Sequence, residues 1–165
     1  STMNKDDPLQ FKVAFENIFE SKVAHLKELL TTIISERDAL GSNLIEEIEK
    51  AAKQKQTLMH SVEQNIQQSK TLLEHLKQSM PEHSQEALLN WCDPSGGLNQ
   101  LRDRITEITS HCQSENNRNG IQIRRQSQHV HTALNILRGE GIPSAFYGAT
   151  GEPSREHGVR SLGKA

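Results

Sequence analysis

LQFKVAFENIFESKVAHLKELLTTIISERDAL, residues 9–40, contains neither glycine nor proline. Both residues break regular backbone, glycine through its entropy and proline through its missing N–H. Within this stretch Phe11, Phe15, Phe19, Val23, Leu26, Leu30, Ile33 and Leu40 recur at helical spacing. From Val23 onward the steps alternate three and four, the pattern of a heptad seam, with Arg37 as its polar exception. Asp7 suits the N-cap, Pro8 the first helical position and Gln10 the third. The spacing predicts a helix over residues 8–40, ended by Gly41 in the left-handed conformation that closes many helices.

The same punctuation organises the rest of the chain. No glycine or proline occurs between Ser42 and Met80, so a second helix is expected over 43–80. Ser42 or Asn43 would cap it, Leu44, Ile48, Ala51, Leu58, Val62, Ile66, Leu73, Leu76 and Met80 would form its stripe, and Pro81 would stop it. Two consecutive four-residue steps, Leu44–Ile48 and Val62–Ile66, shift that stripe and argue against a uniform supercoil. A short helix over 82–91 precedes the turn Asp93-Pro94-Ser95-Gly96-Gly97. Trp91, the sole tryptophan, is expected to plug the end of a bundle, with ligand stacking as the other reading.

A third long helix is predicted over 98–138, interrupted only by Gly120. Its outer thirds are amphipathic through Leu98, Leu101, Ile105 and Ile108, and through Ile123, Val130, Leu134 and Leu137. Residues 111–129 are strongly polar, which admits two accounts. One is a polar core layer that fixes register, with Gly120 allowing close backbone approach. The other is a weak point that frees the C-terminal half, or a break into two helices at Gly120. The expected architecture is all-α: an elongated antiparallel bundle of three long helices with coiled-coil-like packing and a flexible C-terminal tail.

Composition narrows the function. Only 33% of the residues are apolar and 4% aromatic, which suits a thin elongated core better than a globule. A formal charge of −2 gives no reason to expect nucleic acid. No apolar run approaches the ~18 residues of a membrane span, so a soluble, cytoplasmic protein without membrane insertion is expected. Cys92 and Cys112 lack metal-type spacing and read as free thiols. The eight histidines form no metal-binding pair, and no phosphate-cradling glycine loop or paired catalytic carboxylates are present. The basic residues Arg102, Arg104, Arg118, Arg124 and Arg125 lack interleaved aromatics and read as a solvated face or a dock for an acidic segment. No enzymatic site and no cofactor is expected.

The last 27 residues carry six of the ten glycines and two of the five prolines. Residues 139–165 are therefore expected to be a flexible tail, and residues 1–6 a disordered start in which Ser1 and Thr2 read as an expression remnant. Phe146 and the only tyrosine, Tyr147, sit within the tail, where aromatics commonly anchor short-motif binding, or else fold back onto the helices.

Several short segments, in order, resemble the FlgN family of flagellar export chaperones. They are Asn117-Arg118-Asn119-Gly120 with Ile123, Ala133-Leu134-Asn135-Ile136-Leu137-Arg138-Gly139, Phe146-Tyr147-Gly148-Ala149-Thr150-Gly151 and Arg160-Ser161-Leu162-Gly163. Leu29-Leu30 to Leu40, with Glu36-Arg37, matches more loosely, and the Glu-Pro and Arg-Glu-His stretch after Gly151 finds no counterpart. The resemblance implies a chaperone that binds hook-associated (hook–filament junction) proteins and delivers them to the type III export gate, with the export ATPase complex as a further candidate partner. It implies client contacts at Ile123, Val130, Leu134 and Leu137 and gate docking through Tyr147 and Phe146.

Overall fold

A computed structural model describes residues 7–137, apart from the side chain of Val130. These residues form four packed helices and no strand: α1 Pro8–Gly41, α2 Ile45–Lys77, α3 Gln85–Cys92 and α4 Gly97–Leu137. The expected start at residues 1–6 and tail at 139–165 lie outside the described residues.

The start of α1 follows the sequence expectation: Pro8 opens the helix and the Asp7 carboxylate accepts from the Leu9 N–H at 3.1 Å. Its end does not. Gly41 remains helical, and Asn43 is the left-handed residue, with φ of 54°. Asparagine tolerates that region because its short amide can bond locally. The Leu44 N–H then donates to the Ala39 carbonyl at 3.0 Å. Neither Ser42 nor Asn43 caps α2; Leu44 holds the N-cap without a side-chain bond, and Glu46 and Glu47 complement the dipole of the first turn. The helix also ends at Lys77, short of the expected residue 80. A proline disfavours helical geometry in the residue before it, so the chain leaves the helix ahead of Pro81. The short helix starts at Gln85, not at residue 82, because the Ser84 hydroxyl accepts from the Ala87 N–H at 3.1 Å.

Helix α1 is the spine. Ser21 and His25 meet Asn65, and Glu36 meets Lys55, so α2 runs antiparallel to α1. Leu26 meets Cys112 and Leu40 meets Gln126, so α4 runs parallel to it. Both flanking helices pack on α1, yet no Cα of α2 comes within 8 Å of one of α4. The polar residues 111–129 and the lysine- and glutamine-rich middle of α2 offer each other little apolar surface, so both helices spend theirs on α1.

One end of the molecule holds the densest packing. Phe11, Leu76, Leu88, Leu89 and Leu98 are fully buried there, and α3 touches all three long helices. The partly buried Trp91 ring stands edge-on to Phe11 with centroids 6.3 Å apart. It plugs the end, as the sequence reading expects.

The turn into α4 depends on Asp93. Its buried carboxylate accepts from the Ser95 hydroxyl at 2.6 Å and the Ser95 N–H at 3.2 Å, and the Lys12 ammonium lies 3.8 Å away. The Ser95 hydroxyl bond is the main reason its pKa lies below the usual carboxylate range; burial opposes this, while the Ser95 N–H, Lys12 and the Leu98 N–H assist. A Cβ added to Gly97 would stand 2.7 Å from Asp93 Oδ2, whereas one on Gly41 would meet nothing. Gly97→Ala should therefore lower the melting temperature, and Gly41→Ala should hold or raise it by the equivalent of about 0.5–1 kcal/mol. Asp93→Ala should cost about 0.5–2 kcal/mol at neutral pH. In the native chain the carboxylate contribution is fully present above the unfolded acidity of Asp93 and fades as pH falls through its lowered folded value. Thermal melts followed by circular dichroism at neutral and acid pH check all three.

Candidate functional site

Three side chains of α4 reach main-chain carbonyls of α1, each across 86 residues of sequence. Cys112 Sγ donates to Leu26 O at 3.5 Å, Asn119 Nδ2 to Ile33 O at 2.7 Å and Gln126 Nε2 to Leu40 O at 2.7 Å. Donors and acceptors both recur every seven residues, so two parallel helices are locked in one heptad register. A helix carbonyl has a second lone pair beyond its own ladder bond, and these donors use it.

Midway along this seam lies a polar layer that joins all three long helices. The buried Glu36 carboxylate accepts from Lys55 Nζ at 2.9 Å and from Asn119 Nδ2 at 2.9 Å. Arg37 Nε donates to Asn119 Oδ1 at 3.0 Å, and Arg37 Nη2 bonds both the carboxylate and the carbonyl of Glu115. Lys55 Nζ also donates to Asn116 Oδ1 at 2.9 Å, bridging α2 to α4. The Arg37 bond to Glu115 holds that carboxyl below its ordinary range; partial burial opposes it, and the Arg37 and Arg118 charges add to the lowering. Arg37 is thus a seam residue paired across to α4. Of the sequence accounts for residues 111–129, the register-fixing layer is the one seen. Gly120 has no part in it: α4 crosses this position unbroken, and an added Cβ would meet only the Arg124 guanidinium at 3.7 Å.

Because α2 and α4 stand apart, a groove of about 850 Å³ runs between them above α1. Leu26, Leu29 and Ile33 of α1 form its floor, Met59, Val62 and Ile66 of α2 one wall, and Thr109, Cys112 and Asn116 of α4 the other. Sequence reasoning missed it. Met59 and Ile66 remain 44% and 43% exposed, large apolar side chains on an otherwise polar helix, and that was the available signal.

The register also decides where the expected client contacts stand. With an 86-residue offset, Gly41 at the end of α1 is level with residue 127 of α4. Residues 128–137 therefore lie beyond the level of Gly41, over about 15 Å, and Gln128 at their start is still buried. The stripe that buries Leu98, Ile105 and Cys112 carries on through Ile123, position 130, Leu134 and Leu137 at helical spacing. Ile123 is 43% exposed, Leu134 45% and Leu137 82%. These three share one face. The Val130 side chain, Phe146 and Tyr147 lie outside the described residues.

Among the described residues no cluster of three His, Cys, Asp or Glu side chains could hold a metal, and no helix is long and apolar enough to cross a membrane. Cys92 and Cys112 are free and buried; burial, assisted by the Asp93 charge, pushes the Cys92 thiol up to about 11, and burial also raises Cys112. The FlgN protein family model matches residues 14–155. The chain belongs to the FlgN family. This is a family of flagellar export chaperones, whose members bind hook-associated proteins. Neither the curated proteins nor the solved structures yielded a match.

Seen against the FlgN resemblance, the Asn117–Gly120 motif has a structural meaning. Asn119 is fully buried and completes the polar layer, bonding Arg37, Glu36 and the Ile33 carbonyl together. Asn119→Ala should cost about 1–3 kcal/mol for each buried partner left unsatisfied. A cooperative urea melt measures the loss. An unchanged midpoint would mean that the layer does not hold the FlgN register.

Proposed function

We propose that the overhanging end of α4 is the client surface of a flagellar export chaperone. The observation that carries this reading is the apolar stripe running ten residues beyond the end of α1. Hook-associated proteins at the hook–filament junction assemble through amphipathic terminal helices, which expose apolar faces before export. Such a helix can lie on Ile123, Val130, Leu134 and Leu137 by helix-in-groove recognition, taking the place that α1 vacates at Gly41. Shielding that face would prevent premature assembly. Four apolar contacts at up to about 1.5–3 kcal/mol each exceed the ordering cost enough for micromolar binding.

In this reading the protein works in the cytoplasm as a non-enzymatic carrier. The three long helices act as an elongated bundle with coiled-coil-like packing, α2 antiparallel to α1 and α4 parallel to it. The tail carries Phe146 and Tyr147, which dock the loaded chaperone on the export gate, with the export ATPase complex as a further partner.

Leu134→Asp should weaken binding of a hook-associated protein's terminal helix about 10–100-fold, the burial of one leucine, while the far-ultraviolet dichroism stays helical. Isothermal calorimetry reads the affinity, and a value equal to the native one rejects this surface. Tyr147→Ala should leave client affinity intact and reduce gate capture in a pull-down; equal capture removes the tail from the docking step.

A further inference from the structure

The α2–α4 groove is left over once the overhang has been given to the client. Its floor is apolar, and its lip carries one unusual group. Lys22 is half-buried, and no ion-pair or hydrogen-bond partner is found for it among the described residues. Burial lowers the pKa of its ammonium group, so this cation is partly stripped of water with no ion-pair partner among the described residues. The other charged or titratable lip groups are Lys55, already tied to Glu36 and Asn116, and His60 and Glu63. An occupant should bring apolar side chains for the floor and a carboxylate for Lys22.

Residues 139–153 of this chain have that composition. They contain Ile142, Phe146 and Tyr147, two acids, Glu140 and Glu152, and no lysine, arginine or histidine. The lengths agree as well. Asn116, where the Lys55 bridge marks one end of the groove, lies 21 residues back along α4 from Leu137, about 32 Å. Nine residues of extended chain from Leu137 to Phe146 span roughly 30 Å. Six more residues to Glu152 add up to about 20 Å, and Lys22 lies eight helical residues below the level of Asn116 on α1, about 12 Å and within that reach.

We propose that residues 139–153 turn back along the α2–α4 groove, seating Phe146 and Tyr147 on the Leu29 and Ile33 floor against the Met59 wall and placing Glu152 against Lys22. The seat itself follows from the groove and the segment. Its regulatory meaning rests on the function proposed above: the aromatic pair assigned to the gate is covered while it occupies the groove. Gate docking then requires release of the tail, so an idle chaperone competes poorly for the gate.

The test uses the full chain labelled at the methionine methyl groups. Of its three methionines, Met59 lines the groove and Met80 packs on the core elsewhere. Seated aromatic rings shift the Met59 methyl resonance upfield. The double variant Phe146→Ala/Tyr147→Ala should return it downfield and leave Met80 in place. Lys22→Glu should produce the same displacement, and adding Glu152→Lys in that background should restore the native position. A Met59 resonance indifferent to both tail variants overturns the proposal. A displacement that depends on protein concentration, with a dimer in light scattering, also overturns it, since a second copy's tail would then fill the groove. Tyr147→Ala that moves Met59 while gate capture stays normal upholds the seat and rejects only the gate role.

Discussion

The buried contact among Glu36, Asn119 and Arg37 sets the register on which the molecule depends. A carboxylate 2% exposed must be compensated, and here the compensation comes from two helices at once, Lys55 on α2 and Asn119 on α4. Sliding α4 by one heptad would keep an apolar seam but remove Asn119 from Glu36 and Glu115 from Arg37. Breaking a buried charged contact typically costs about 3–5 kcal/mol, whereas a plain heptad seam resists slippage only weakly. The polar layer adds specificity to a seam whose apolar residues supply most of the stabilisation.

From that register the exposed surfaces follow. Asn43 reverses the chain immediately after α1, so the α1–α2 hairpin ends there while α4 continues. The overhang is a geometrical remainder: the length of α4 minus the level at which Gly41 stops. The groove is a remainder of another kind. Helix α1 is wrapped on two sides, and the flanking helices, polar where they face one another, never close the third side. A convex stripe on one helix suits another helix lying alongside. A concave trough between two helices suits a thinner segment in which small residues follow large ones, as in Phe146-Tyr147-Gly148-Ala149.

Periodicity along the chain captured one face per helix, and α1 has two. The eight apolar positions read from residues 9–40 lie against the core, but Leu29, Thr32, Glu36 and Ala39 are buried as well, because α1 packs against a long helix on each of two sides. Glu36 was illegible for the same reason. A glutamate beside an arginine reads as a solvated pair until the partner helix is in place. Glycine position proved a poor guide in this chain where local chemistry competed: Asn43 took the left-handed turn that Gly41 was expected to make, and Gly120 meets only the Arg124 side chain of its own helix. The signals that held were those with a local mechanism, Asp7 and Pro8 at the first helix and Trp91 against Phe11. The groove left only a faint trace in the sequence, Met59 and Ile66 on a polar helix, since it arises from a contact that two helices fail to make.

The shifted groups among the described residues serve the packing of the helices. Asp93 and Glu115 are held ionised by hydrogen bonds from Ser95 and Arg37, which makes them weaker bases than free carboxylates. Burial pushes both thiols away from the thiolate form, Cys92 to about 11, so neither has the nucleophilic character of a reactive cysteine. Each of these groups is shifted in the direction that quiets it, by partners that also hold helices together. Lys22 alone moves the other way, toward a neutral amine, and it does so at the lip of the open groove. A lone desolvated cation beside an apolar floor stores free energy that an incoming carboxylate can release.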